Sequence, residues 1–372
     1  MLLNGLPGLL LPVSGPLIAP QLEFTPSRQF TSWMREQQIS VTFTTYQAGK
    51  LFLIGTRSDG QLSAFERTFE RCMGLCASSD AQTLWMSTLY QLWRFENVLP
   101  KAQLSLGGYD ALYVPQLAYT TGDLDIHDTA FGANSRTGRD DAAQLPTFAN
   151  TLFSCLAQPS ETHSFRPVWN PPFITRLAAE DRCHLNGFAM RDGIPAFVTA
   201  ASGTNIHEGW REHRRSGGVV IDVASGEVIS RGLSMPHSPR WHDGQLYLLN
   251  SGAGEFGTID LASGKFEPIC FCAGYARGLV LFGNFALIGL SNCREDRTFT
   301  GLPLNDALAE KQVQPRCGVI VVDLRTGDIA HSLAVTGIVR ELYDVAILPK
   351  VQMPSALGFR TEEIRRTISI EE

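Results

Sequence analysis

Three histidines, four carboxylates and three arginines recur in variants of one short segment, and together they suit metal-assisted chemistry on an anion. The segments are Arg71-Cys-Met-Gly-Leu-Cys, Asp125-Ile-His-Asp-Thr-Ala, His184-Leu-Asn-Gly-Phe-Ala, Pro236-His-Ser-Pro-Arg-Trp, Tyr275-Ala-Arg-Gly-Leu-Val and Glu341-Leu-Tyr-Asp-Val-Ala. His127, His184 and His237 come from successive copies. Three imidazole nitrogens with an open position are the donor set of a catalytic divalent transition metal such as zinc, iron or manganese. Such a cation polarises an oxygen or lowers the pKa of a bound water. Asp125, Glu341 and Tyr343 add acid–base groups. Arg71, Arg240 and Arg277, with Asn186, suit the carboxylate or phosphate of a small anionic substrate. The expected reaction is a hydrolysis, elimination or oxidation.

Along a strand, residues two apart share a direction. That pairs Asp125 with His127, His184 with Asn186, and Glu341 with Tyr343, leaving Asp344 opposite. His237 lies between two prolines that fix its backbone. The same residues also suit a wet channel in which Arg–Asp pairs fix the register of the units. A nucleophilic Cys183–His184 pair is not expected, because adjacent residues of a strand point opposite ways.

An apolar strand follows each segment, and most copies continue into a second one: Gln82–Ser87, Ile194–Thr199, Gln245–Asn250 and Phe285–Leu290. Three later hairpins share the turn Asp-x-x-(Ser/Thr)-Gly, at Asp222–Gly226, Asp260–Gly264 and Asp323–Gly327. A Gly at positive φ closes such a turn. A unit that returns about every 40–65 residues with short strands and glycine turns predicts an all-β, radial repeat. The expectation is a six-bladed β-propeller, with five or seven blades as the alternatives. Val41–Thr45, Lys50–Gly55 and Gln61–Arg67 lack an inner strand before them, whereas Asp344-Val-Ala-Ile-Leu has no partners after it. Joining the two would complete a blade and close the ring, which removes exposed strand edges.

The expected organisation is an apolar, proline-rich arm over residues 1–29, one propeller domain over 30–354 and a polar tail over 355–372. The arm has no basic leading region, and Pro7, Pro12, Pro16 and Pro20 break any helical run, which argues against a signal peptide. It is expected to be disordered, to dock on the ring or to mediate a homodimer. No stretch reaches the ~20 apolar residues of a membrane span. A net charge of −6 argues against binding a nucleic-acid backbone. Eight cysteines without CxxC spacing suit a reducing compartment, the cytoplasm. Two loops stand out as candidates for function, Asn134–Gln144 and Ser202–Gly218.

Thr121-Gly-Asp-Leu-Asp-Ile-His-Asp128, Phe165-Arg-Pro-Val-Trp-Asn-Pro-Pro-Phe173, Glu180-Asp-Arg-Cys-His-Leu-Asn-Gly187, Gly232-Leu-Ser-Met-Pro-His-Ser-Pro-Arg-Trp241 and Gly301-Leu-Pro together resemble an uncharacterised bacterial family of conserved hypothetical proteins. The resemblance runs from roughly Phe30 to Pro354. It implies a bacterial, propeller-like protein with a domain of unknown function, and it carries no reaction. Asn292-Cys-Arg294 departs from it, where a basic residue would follow the serine. The leading expectation is therefore a metal-dependent enzyme working at an axial pocket. The alternatives are a non-catalytic propeller that grips a peptide or partner protein, and a metal-free lyase using Arg, Tyr343 and His.

Overall fold

The computed structural model describes residues 21–100, 102–105, 107–131, 145–292 and 300–370. The arm up to residue 20, the Asn134–Gln144 loop, and Cys293 and Arg294 of the departing motif lie outside them.

Six sheets, each built on four antiparallel strands, form six blades. The first runs outward from β5 (Leu75–Ala77) through β6 (Thr83–Ser87), β7 (Gln91–Asn97) and β8 (Ala111–Thr120). The second holds β9 (Ile126–Ala130) to β12 (Arg166–Trp169), with β10 (Thr147–Asn150) and β11 (Cys155–Gln158) between them. The third holds β13 (Leu185–Arg191), β14 (Ile194–Ala200), β15 (Gly218–Asp222) and β16 (Val228–Leu233). The fourth holds β17 (Pro236–His242), β18 (Gln245–Asn250), β19 (Glu255–Ile259) and β20 (Phe266–Phe271). The fifth holds β21 (Tyr275–Phe282), β22 (Phe285–Ser291), β23 (Gly318–Asp323) and β24 (Ile329–Thr336).

The sixth blade closes the ring. Its inner strand β25 (Val345–Pro349) pairs with β2 (Ile39–Thr45), followed by β3 (Lys50–Thr56) and β4 (Leu62–Thr68). Phe43 lies opposite Val345 and Ile39 opposite Pro349, so the two chain ends share one sheet. Two short strands extend blades at their rims. β1 (Glu23–Pro26), within the stretch read as an arm, pairs with β24, and β26 (Pro354–Ala356) pairs in parallel with β8. Both cover an edge that would otherwise be open to another chain.

Each gap between blades holds its own apolar core. Leu287, Val319 and Val335 of the fifth blade meet Val41, Phe43 and Phe52 of the sixth, where helix α1 (Phe30–Gln37) adds Phe30, Trp33 and Met34. Phe197 and Val220 meet Leu246 and Leu248 between the third and fourth blades. Strands packed on both faces need continuous apolar runs, which is why β3 and β22 read LFLIG and FALIGL without alternation. The three Asp-x-x-(Ser/Thr)-Gly turns join the two outer strands of their blades. In each, the Gly takes φ of +71 to +78° and its N–H bonds back to the Asp carbonyl.

The blades are latched at the second strand. Ser87 Oγ donates to Ile126 O (3.0 Å), Thr151 Oγ1 to Leu185 O (2.7 Å), Ser251 Oγ to Ala276 O (2.6 Å), Ser291 Oγ to Leu342 O (2.9 Å) and Thr44 Oγ1 to Met73 O (2.5 Å). In the remaining gap Asn186 Nδ2 donates to Pro236 O at 2.9 Å. These hydroxyls and amide satisfy buried carbonyls at the start of the next inner strand, where no sheet partner is available.

Candidate functional site: the histidine mouth of the axis

Every inner strand is entered from the same end of the ring, so residues at equal positions in the six segments surround the axis at equal depth. The entering residue is left-handed in four blades: Arg71 (φ 50°), Asp125 (φ 53°), His184 (φ 51°) and Met235 (φ 46°). The simple alternation that pairs Asp125 with His127 and His184 with Asn186 therefore needs correction. Asp125 and His184 lie before the strand in a conformation costly for non-glycine residues, and it re-aims their side chains.

The three histidines nevertheless meet. The His127 ring lies 4.8 Å from that of His184, edge to face, and 6.2 Å from that of His237. Tyr343 packs on His127 at 5.5 Å and Tyr275 on His237 at 5.6 Å. The Arg277 guanidinium sits over both tyrosines, 4.9 Å from the Tyr343 ring and 5.0 Å from the Tyr275 ring. Glu341 is buried close enough to Arg277 to favour its charge, as the two tyrosines do. Arg71 pairs with Asp123 and reaches over Tyr46, which stacks on Tyr343 at 5.7 Å.

Each imidazole is fixed through Nδ1. His127 Nδ1 donates to Asp125 O at 2.8 Å and also meets Thr151 Oγ1 at 2.8 Å. His237 Nδ1 donates to Met235 O at 2.8 Å. His184 Nδ1 donates to the Asp181 carboxylate at 2.9 Å, which also takes the indole N–H of Trp210 at 2.8 Å. A carbonyl oxygen only accepts, so the proton is on Nδ1 of His127 and His237 and their Nε2 atoms carry lone pairs. His237 Nε2 and the Tyr343 hydroxyl are buried without a hydrogen-bond partner among the described residues.

Burial sets the charges. It pulls the His127 imidazole down to about 4 against the raising pull of Asp125. His237 is held well below the usual range by burial and then by the Arg277 cation. The 3.7 Å approach of His127 to Asp125 is therefore no ion pair at neutral pH. Burial opposes ionisation of Asp125, but His127, His184, Arg71 and Arg277 outweigh it and hold that carboxyl low. Burial also raises the Tyr343 phenol above its ordinary value.

A cap covers this mouth. The Ser202–Gly218 segment carries helix α2 (Trp210–His213), whose Trp210 stacks on His184 at 4.1 Å. Trp210 packs with Met235, Tyr275, Leu302 and, from helix α3 (Pro303–Lys311), Leu304 and Leu308. Arg214 donates to Thr300 O, and Arg215 pairs with Asp306, tying the two covering segments together.

Of the expected anion-binding residues, Asn186 lies at the rim of this cluster as a latch, while Arg240 does not join it. Arg240 lies deeper along the axis, holding Asp128 at 2.8 and 3.0 Å. Asp128 belongs to a belt that alternates round the ring: Gly74, Asp128, Gly187, Ser238, Gly278, Asp344. Each polar member accepts a backbone N–H from the next blade: Asp128 from Phe188 (3.2 Å), Ser238 from Gly278 (3.2 Å) and Asp344 from Leu75 (2.8 Å). Glycine is required opposite them, since a Cβ on Gly187 would lie 2.7 Å from Asp128 Oδ2. At this depth the Arg240–Asp128 pair ties the fourth blade to the second. Asp181 and Trp210 were not singled out as partners of His184, although both sit in segments that the sequence marked.

Among the described residues, no group of three or more His, Cys, Asp or Glu side chains is arranged to hold a metal ion. The seven described cysteines are free, and burial pushes the Cys183 thiol up to about 12, far from a nucleophile. No described helix is long and apolar enough to cross a membrane.

Comparison with known proteins bears on the fold. The chain matches one from the crystal structure of the nidogen/laminin complex with a TM-score of 0.50 at 11% identity, covering 84% of this chain and 99% of that one. A protein of unknown function from Bacteroides caccae gives 0.46 at 10% identity, covering 83% and 98%. A catalytically inactive virginiamycin B lyase from Staphylococcus aureus with quinupristin gives 0.38 at 11%, covering 85% and 100%. At 11% identity the first of these matches speaks to the β-propeller fold alone. No curated protein matches by sequence. Residues 28–357 match the profile of the domain of unknown function DUF4915, and the chain belongs to that family.

Proposed function

We propose that the histidine mouth is the active centre of an enzyme that moves a proton on a small anionic substrate. The observation that carries this reading is the shared anchoring of three neighbouring imidazoles through Nδ1, beside the buried Arg277 and the Tyr343 hydroxyl. A neutral imidazole whose Nε2 lone pair is uncommitted is a general base. Arg277 takes the carboxylate or phosphate. His237 removes the proton, and the Tyr343 phenol donates one to the leaving group or to the developing oxyanion. Trp210 and the leucines of the cap keep water out, which strengthens each of these interactions.

A three-imidazole metal centre is the second reading: the anchoring suits it, although the described side chains are not gathered round a metal position as they stand. A ligating histidine is oriented by the hydrogen bond of its other nitrogen. Proton exchange into small carboxylates and phosphate esters in heavy water, followed by NMR, tests both. The acid–base reading expects exchange or turnover that survives EDTA and falls about 10²–10⁴-fold in His237→Ala. Loss of turnover on chelation, with about one equivalent of metal bound, would favour the metal centre. Exchange into none of the compounds would sink both and point to a propeller that grips a peptide or partner protein.

A further inference from the structure

The other mouth of the axis opens into a cavity of about 590 Å³ lined by all six inner strands. This volume is in the range that encloses a small organic molecule. Phe131, Met190, Trp241, Phe282 and Ile347 form its apolar walls, and Arg240 is the charged group that lines it. An arginine has five N–H donors. Nε of Arg240 bonds Leu279 O, and Nη1 bonds Asp128 with Pro239 O and Phe188 O. Nη2 bonds Asp128 Oδ1 at 3.0 Å, which leaves its second hydrogen uncommitted among the described residues. The Arg240 side chain is 22% exposed, whereas Asp128 beneath it is 3% exposed.

We propose that this cavity binds a neutral, largely apolar small molecule carrying one hydrogen-bond acceptor, a carbonyl or ether oxygen, which takes the spare Nη2–H of Arg240. Charge selects a neutral ligand. The Arg240 cation is already matched by Asp128 at 2.8 Å, so an added carboxylate would face Asp128 without an unmatched cation. An added ammonium would face Arg240 itself. The walls then supply the affinity and the single donor sets the orientation. This site is separate from the histidine mouth and does not depend on any reaction there.

Three probes test the assignment by quenching or enhancement of protein fluorescence: 2-acetylnaphthalene, 2-ethylnaphthalene and 2-naphthoate. The ketone should bind saturably at one site, about five- to tenfold more tightly than the hydrocarbon, the worth of one hydrogen bond. It should bind more than tenfold more tightly than the carboxylate. Ala130→Trp and Ile347→Trp, on separate strands, fill the cavity and should each weaken the ketone at least tenfold; far-UV circular dichroism identifies whichever variant retains the fold. His237→Ala, at the far mouth, should leave the affinity unchanged. Equal affinity for ketone and hydrocarbon, tighter binding of the carboxylate, or unaltered binding by a folded filled variant would each overturn the proposal. So would a failure of the ketone to saturate.

Discussion

The two ends of one axis are built from the same six strands and differ in almost every physical respect. At the end where the strands begin, histidine, tyrosine and arginine side chains crowd together beneath Trp210 and the leucines of α3. At the end where they finish, the same strands turn apolar side chains toward an open cavity. Between them lies the belt of Asp128, Ser238 and Asp344 with its alternating glycines. The belt has a fixing role: its side chains accept backbone N–H groups that would otherwise be buried without partners. The belt residues thus hold neighbouring blades together.

The largest expected effect separates the two mouths. Under the acid–base reading, His237→Ala should lower turnover by about 10²–10⁴-fold, while Ile347→Trp at the other mouth leaves turnover unchanged. A comparable loss from both would show that the ends are one site. Next in size is the belt. Arg240→Met leaves the Asp128 carboxylate buried and unpaired, and should cost about 3–5 kcal/mol in urea unfolding. Adding Asp128→Asn should restore a large part of that. If the double variant is no better than the single one, the pair is not what fixes Arg240.

The latches sharpen the comparison further. Ser251→Ala and Thr151→Val should each cost about 1–3 kcal/mol by stripping a buried carbonyl of its donor. Only Thr151 also touches His127 Nδ1, so only its variant should disturb the histidine mouth. The smallest effect is a slope. Burial, with Asp128 close by, raises the Asp344 carboxyl to about 7, although Arg240 pulls the other way. Its unfolded value is about 4. Between these values the folded protein binds the extra proton, so wild-type stability falls as pH rises through the window. Asp344→Asn lacks this titration and should gain on the wild type from about pH 4 to pH 7. A difference that stays flat across the window would place the Asp344 proton elsewhere.

The ring was legible because a propeller repeats its turns as well as its strands. Asp222–Gly226, Asp260–Gly264 and Asp323–Gly327 each mark the joint between two outer strands, and the unmatched strands at the two ends imply the closed sixth blade. The meeting of His127, His184 and His237 followed from their place in the segments. Their Nδ1 partners did not, because the left-handed residues before the strands break the period of two. Arg240 was grouped with Arg71 and Arg277 by residue type. Only its position late in its segment signalled the greater depth, and a single sequence does not show which depth belongs to the latch and which to the site. Ser87 and Ser291 end their second strands and Thr151 and Ser251 directly follow theirs, a pattern that becomes meaningful once their carbonyl partners are seen.

The central claim is that the buried imidazoles offer Nε2 as a lone pair. Nitrogen-detected NMR of histidine-labelled protein at pH 7, assigned with His127→Gln and His237→Gln, measures it directly. Both rings should be neutral, with the proton on Nδ1 and an unprotonated Nε2. Imidazolium rings, or rings protonated at Nε2, would contradict it and return these histidines to the role of channel filling.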